Sequence, residues 1–450
     1  MPTMIKTISK PRFDVLTLSK HPMATIMAEE VEWYADVNEN VLGSVIRDRT
    51  DNDWNYVILG RDERGLFRWI NGNVSFAEIG EARKELLQKI EQYAHDGKSV
   101  YPQHDSIKKK NEIFKPIVPE GKLHPHFKTL MSHEGHSPAK EIIQEIAYAF
   151  VDLDGNFIEQ FQTHGFNSRL WELYLYAYFH EELFLISDEY SVPDYTCIKG
   201  PQTLFIEAVT VNPNPDFDIE SAPKTPQEAE TLLKDYMPIK FGSALYSKLN
   251  KKYWKLSHVK NHPLVFAIHD FHKDHSMLWS RSGITTYLYG IWFKHIFDHK
   301  GNLIIVPEKI ESHEYKGKKI PSGFFLQEYA EYVSAVMFSN SATISKFNRM
   351  GKLAGFGSPR VKMKRIGTCH NHDPNATKPH VFERNIDPAS YTESWGQGLE
   401  MYHNPNAKHP IDPDLFPGIA HHFLVGGKMH SLLPEFFPYS SMTLVSIQKS

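Results

Sequence analysis

Hydrophobic and polar positions change their period several times along this chain, and each change marks a different kind of element. Residues 31–76 alternate, as in Trp54, Tyr56 and Ile58, with Asp62-Glu63-Arg64-Gly65 as a turn before Leu66–Ile70. That period predicts a small antiparallel meander. From about Phe76 to Tyr93 the pattern becomes helical, and Gly97 is the kind of residue on which helices stop. Together these elements predict an N-terminal α+β domain over residues 1–100. Residues 101–137 are rich in Lys, His and Pro without a sustained period, which reads as a linker or surface excursion.

The next element starts cleanly, with Ser137 to cap and Pro138 to open a helix that buries Ile142, Ile143 and Ile146. Phe166 to Glu182 is apolar around nearly its whole circumference, the mark of a buried helix. Leu183–Ile186, Asp194–Ile198 and Thr203–Val211 read as three strands, with Lys199-Gly200-Pro201-Gln202 turning between the last two. Residues 226–255 read as mostly helical, and Leu264–Phe271 as an apolar strand ending in His269, Asp270, His272, Asp274 and His275. A segment with Tyr287, Tyr289, Ile291 and Trp292 closes a mixed α/β core predicted over residues 138–300. Residues 301–450 grow rich in Pro, Gly and His, and predict an irregular C-terminal region with one helix near Phe325–Ser339.

Three carboxylates fall where burial should exclude them. Glu172 lies among Leu175, Tyr176 and Phe179 on the apolar helix, and Glu207 lies in Leu204-Phe205-Ile206-Glu207-Ala208-Val209. Asp194 follows Pro193, whose fixed φ and missing N–H suit the first residue of a strand. A buried unpaired carboxylate costs several kcal/mol or takes up a proton. Strand alternation lets Asp194 and Glu207 share one face of a hairpin, where a cation between them would relieve their repulsion. Hard oxygen ligands with open water positions suit Mg²⁺ or Mn²⁺.

This arrangement resembles the PD-(D/E)XK nuclease superfamily, which shares a helix-borne Glu, then Pro-Asp at a strand start, then Glu-x-Lys on the next strand. The matching residues are Glu172 in FNSRLWELYLYAYF, Pro193-Asp194 in VPDY and Glu207 in LFIEAVTV. The resemblance covers roughly residues 140–300. It implies a restriction-endonuclease-like mixed sheet flanked by helices, and a metal-dependent endonuclease acting on DNA or RNA. It also implies metal coordination by Asp194, Glu207 and the carbonyl of Ala208, with Glu172 in support. Val209 departs from the pattern, since the superfamily usually places a lysine there. Within the superfamily a neighbouring element can supply that lysine, and Lys248 is the preferred substitute because Leu245 and Leu249 put its flank near the core.

Composition adds modest constraints. The 450 residues are 41% hydrophobic and 23% charged, an ordinary globular balance sufficient for more than one domain. Cys197 and Cys369 are the only cysteines, which rules out a disulfide framework and fits a reducing, cytoplasmic home. No apolar run approaches the roughly 20 residues that span a bilayer, so a membrane is not expected as a partner. The formal net charge of -4 argues against a surface built wholly for polyanions. Two local basic blocks remain, and they nominate Lys251, Lys252, Arg360, Lys362, Lys364 and Arg365 as nucleic-acid contacts. Oligomeric state stays open, with a homodimer among the options.

Rival constellations are weaker. Cys369-His370-Asn371-His372-Asp373 lacks a second ligand pair at zinc spacing. The His269–Asp274 cluster sits at a strand end, but histidine is common throughout the chain. No Walker loop, G-x-S-x-G or dinucleotide fingerprint occurs. Two alternatives stand beside a nuclease: a nucleic-acid-binding protein that keeps the fold without turnover, and a scaffold whose acids pair internally, Glu172 with Arg169.

Overall fold

A computed structural model describes residues 4–104, 110–273 and 278–449. Asp274 and His275 of the predicted polar cluster lie outside the described residues. Strand β1 (Ile5–Thr7), helices α1 (Lys10–Leu16) and α2 (Pro22–Met27), and strands β2 (Ala28–Asp36), β3 (Val41–Asp48), β4 (Trp54–Arg61) and β5 (Phe67–Phe76) come first. The five strands pair antiparallel in chain order. Helix α3 (Ile79–Asp96) lays Ala82, Leu86 and Ile90 over Val45, Tyr56 and Ile58. It ends at Gly97, whose φ of 64° is the left-handed conformation that glycine adopts without penalty. The expected meander and helix are therefore formed, while Phe13, Ala35, Leu42, Leu66 and Phe67 pack into the core of the rest of the chain. β1, α1 and α2 are additions too short to impose a period on the sequence.

The stretch expected as a linker contains α4 (Pro125–Ser132), and it is anchored. Ile113, Phe127 and Leu130 are buried in the main core. A few isolated apolar anchors hold this segment, so no hydrophobic period betrays it in the sequence.

The main body follows with α5 (Ser137–Ala149), α6 (Phe157–Gln162), α7 (Phe166–Glu181), β6 (Leu185–Ser187), β7 (Tyr195–Lys199) and β8 (Gln202–Val211). Helix α8 (Pro226–Thr231) runs through a π-helical turn, Leu232–Tyr236, into α9 (Met237–Leu249). Then come β9 (Leu264–Asp270), α10 (Ser282–Tyr289), the hairpins β10 (Ile291–Phe297) with β11 (Leu303–Lys309) and β12 (Ser312–Tyr315) with β13 (Lys318–Pro321), and β14 (Ala335–Ser339). The chain closes with α11 (Ile344–Leu353), β15 (Val361–Cys369), β16 (His380–Asn385), β17 (Glu400–His403), β18 (Ala420–Val425), β19 (Lys428–Leu432) and β20 (Pro438–Ile447).

A mixed eight-stranded sheet in the order β19-β18-β17-β14-β9-β8-β7-β6 organises this body, with β8, β9 and β14 mutually parallel. Its two faces bury separate cores because strand side chains alternate. Leu204, Ile206, Val265, Ala267 and Met337 face α5 and α7, whereas Phe205, Val209, Phe266, Ile268 and Phe338 face α9 and α10. Burial on both faces explains why β9 reads as a continuous apolar run.

The C-terminal third is more regular than its composition suggested. It supplies β14, β17, β18 and β19 to the central sheet, and β15, β16 and β20 form a separate three-stranded sheet. The helix expected near Phe325–Ser339 is replaced by 3₁₀ turns at Phe324–Leu326 and Ala330–Tyr332, followed by β14. Ala335–Ser339 is fully buried between β9 and β17, and pairing on both edges overrides local helical preference. Among the described residues, no helix is long and apolar enough to cross a membrane.

Candidate functional site

The site begins where two strands part. β7 pairs with β8 only from Tyr195↔Ile206 to Lys199↔Gln202, whereas the other edge of β8 stays paired with β9 as far as Val211↔Asp270. From Glu207 onward β8 therefore has one open edge. Pro193, with no N–H to offer, precedes the point of separation. Asp194 substitutes for a backbone acceptor there: the Ala208 N–H donates to its Oδ2 at 2.7 Å. The result is a notch in the sheet with a carboxylate fixed at its mouth.

Glu207 stands on the α9 side of β8, between Phe205 and Val209, and is 4% exposed. Its Oε1 accepts from the Tyr253 hydroxyl at 2.7 Å and from the Lys248 ammonium. Lys248 lies in the last turn of α9, held by the buried Leu245 and Leu249 on either side. Val209 shares its face of the sheet with Glu207, so a lysine at 209 would have pointed to the side from which Lys248 arrives.

Glu172 approaches from α7, across the sheet. The Trp171 indole donates to Ala267 O at 2.8 Å and the Tyr195 hydroxyl to Glu172 O at 2.6 Å, which fixes the helix against β9 and β7. The Ser168 and Thr210 hydroxyls, 2.9 Å apart, tie the same helix to the open edge of β8. Arg169 Nη1 donates to Glu172 Oε2 at 2.6 Å, and its Nη2 donates to Gln160 Oε1 at 2.7 Å.

These acids act on one another electrostatically. Burial pushes the Glu172 carboxyl up to about 7, opposed by Arg169 and Lys248 and reinforced by the negative charge of Glu207. Asp194 keeps one side open to solvent, yet the protein mass on its inner side raises it well above the usual carboxylate range. The charges of Glu207 and Glu172 raise it further, against the Lys248 ammonium and the Ala208 N–H. Burial likewise raises the Tyr253 phenol, with Glu207 adding to the effect.

Among the described residues, no three His, Cys, Asp or Glu side chains form a group that could hold a metal by themselves. Open acceptors nonetheless remain at the notch, since Oδ1 of Asp194 and Oε2 of Glu207 receive no hydrogen bond from the described residues. This donor set differs from a closed zinc cage. It fits a hard cation that binds through one or two carboxylates and keeps several waters.

The structure couples Glu172, Asp194, Glu207 and Lys248 electrostatically, and it gives the nominated basic contacts unlike surroundings. Lys251 is exposed, and Lys252, at φ 56°, holds its ammonium 4.7 Å over the Tyr329 ring. Arg360 pairs with Glu134 and Lys364 with Glu383, both at the surface, and Lys362 is exposed. Arg365 is corrected from surface contact to core residue: it is 1% exposed and bonded to Ser441 and Tyr391. With Lys346 and Arg349, also buried, it surrounds Glu393. Alternation along β15 decides this, since Val361, Met363 and Arg365 share its inward face.

The rival clusters are partly bonded, and Nδ1 of His269 and Nε2 of His272 are buried without a partner among the described residues. His370 Nδ1 lies 2.6 Å from the Tyr439 hydroxyl and His372 Nε2 lies 2.9 Å from Glu435 O. Asp270 holds His272 Nδ1 at 2.6 Å and accepts from Ser280 at 2.6 Å. Sequence reasoning missed Tyr253, whose signal was only its position in the chain soon after Lys248.

Comparison of the chain with family models, with curated proteins and with solved structures gives no match.

Proposed function

We propose that this notch hydrolyses nucleic-acid phosphodiester bonds with the help of Mg²⁺ or Mn²⁺, and that the body from α5 to β9 is a restriction-endonuclease-like core. One observation carries the reading. Asp194 and Glu207 meet at the open edge of β8, with a lysine ammonium from α9 on the same face as Glu207 and with Glu172 coupled from across the sheet. The order of elements, a helix, a three-stranded antiparallel meander, a helix and a parallel strand, supports the fold assignment.

Asp194 Oδ1, Glu207 Oε2 and the carbonyl of Ala208 are the groups that would hold the cation. Bound there, it would acidify water and offset negative charge on the phosphate. Lys248 positions a phosphate oxygen or the attacking water, and the Tyr253 hydroxyl fixes the rotamer of Glu207. Glu172, held by Arg169, would give a supporting contact to the metal or its water.

The test is cleavage of single-stranded DNA, duplex DNA and RNA by the purified full chain, with Mn²⁺ and with EDTA. Wild type should cleave at least one polymer only with metal, and Glu207→Gln and Asp194→Asn should not. Equal cleavage by wild type and variants, or none by wild type, overturns the reading. A second reading is favoured by the Lys248–Glu207 ion pair itself, which can serve structure alone. The protein would then bind nucleic acid without turnover, and wild type would bind all that it fails to cut.

A further inference from the structure

Beside the notch lies a basin of about 670 Å³ whose lining includes Trp254, Tyr332, Lys255, Lys260, His262 and Lys408, and no carboxylate. Its aromatic and cationic parts are interleaved. Trp254 and Tyr332 stack with ring centroids 4.9 Å apart and planes 2° apart, and the Lys408 ammonium stands 3.7 Å from the Tyr332 centroid. Lys255, Lys260 and Lys408 are exposed, and the partner of Lys408, Glu331, stays outside the lining. At the rim Tyr329 is 38% exposed, and the Lys252 ammonium lies 4.7 Å over its ring. Tyr329 and Lys252 both hold left-handed backbone, at φ 70° and 56°. That conformation is rare for a bulky residue and marks a place where the surrounding structure imposes position.

The chain ties this basin to the carboxylates. Tyr253 donates to Glu207, and the next residue, Trp254, lines the basin. Further along the same loop, His258 stacks on Tyr190 at 3.9 Å and places its Nε2 2.8 Å from Val192 O, two residues before Asp194. One loop thus contacts the carboxylates through Tyr253 and the approach to Asp194 through His258 while it lines the basin.

We propose that the basin binds single-stranded nucleic acid, so that the substrate class of the notch is an unpaired strand; this rests on the hydrolytic reading above. Lys255 and Lys260, exposed and with no carboxylate in the basin lining, suit phosphates, and the exposed Tyr329 ring at the rim suits a base of any sequence. A duplex offers the same phosphates but keeps its base faces stacked inside, where Tyr329 cannot reach them.

The experiment uses the full chain in EDTA, with fluorescence anisotropy of labelled oligo-thymidylate and of a duplex of equal length. Wild type should prefer the single strand. The triple variant Lys255→Ala/Lys260→Ala/Lys408→Ala should lose roughly ten-fold or more in affinity and lower the salt slope by about 2. Tyr329→Gly, which suits the positive φ, should weaken single-strand binding by roughly five-fold and leave the salt slope unchanged. Unchanged affinity in the triple variant, or a preference for duplex, overturns the proposal. So does poly-glutamate binding as tight as that of oligo-thymidylate. Cleavage assays separate the two claims. If wild type cuts but the basin variants bind and cut equally well, the basin falls and the hydrolytic reading stands. If wild type cuts nothing while the variants lose binding, the basin stands and hydrolysis falls.

Discussion

Lys248 reaches Glu207 across 41 residues of chain, bringing a cation from the end of a helix to a carboxylate inside a parallel strand. The pair is asymmetric: the lysine side chain is 30% exposed and the glutamate 6%. Removing the lysine therefore strands the more buried partner. Lys248→Met should lower stability by about 1–3 kcal/mol and abolish metal-dependent cleavage. Lys248→Arg should regain stability but little cleavage, because a planar guanidinium does not replace a compact ammonium. Denaturant titration beside the cleavage assay checks both, and full activity in Lys248→Met removes the residue from the site.

Tyr253→Phe deletes one hydroxyl and leaves the ring in the core. Glu207 then loses its 2.7 Å donor while keeping Lys248. The expected loss is about 1 kcal/mol, read by urea denaturation of wild type and variant at the same pH. No change would mean that the hydroxyl contributes nothing to the buried carboxylate.

Glu172 sets a pH dependence whose sign follows from its raised carboxyl, near 7 in the folded state against an ordinary 4.5. The folded protein keeps a proton that the unfolded chain releases. This contribution is complete below 4.5 and is lost as pH rises through 7. Glu172→Gln cannot titrate, so the stability of wild type relative to the variant should fall by on the order of 3 kcal/mol from about pH 4.5 to about pH 8. Thermal melts of both across that window decide it, and a flat or rising difference would contradict the assignment.

Asp194, raised in the same direction, gives the cation its leverage. At about pH 8, where the unbound carboxylates repel most, Mn²⁺ should raise the melting temperature of wild type. The double variant Asp194→Asn/Glu207→Gln should show no such rise. Equal stabilisation of both proteins would place metal binding elsewhere.

Glu393 meets Lys346 at 2.7 Å, Arg349 at 2.7 Å and Arg365 at 3.4 Å, all inside the protein. Glu393→Gln leaves three buried cations without their carboxylate and should destabilise by about 3–5 kcal/mol. Arg365→Met should also alter stability, yet leave the salt dependence of nucleic-acid binding as in wild type. A reduced salt slope in Arg365→Met would return that residue to the binding surface.

Local pattern made much of the site visible. Glu172 and Glu207 stood out because charge in an apolar run is costly, and Pro193 marked the strand start at Asp194. Periodicity also located α3, α5, α7, β8 and β9 to within a few residues. It failed where few residues carry the contact, as at Phe127 in the presumed linker, and where pairing on both edges outweighs propensity, as at Ala335–Ser339. At Arg365 the basic block misled for another reason, because a count of lysines and arginines does not say which way alternate side chains of β15 point.

The sequence alone determined that Glu172 and Glu207 would lie in apolar surroundings and need compensation, since hydrophobic period is a local property, whereas Asp194, expected to be buried as well, stands open to solvent at the notch. Only the tertiary structure decided what compensates them. Arg169 serves Glu172 from the same helix, within reach of local reasoning, whereas Lys248 and Tyr253 reach Glu207 because α9 and the turn after it pack on the face that β8 presents. It also decided that β8 outruns β7, which opens the notch. Strand pairing and helix packing join residues distant in the chain, and no period in a single segment records where that segment's partner will end.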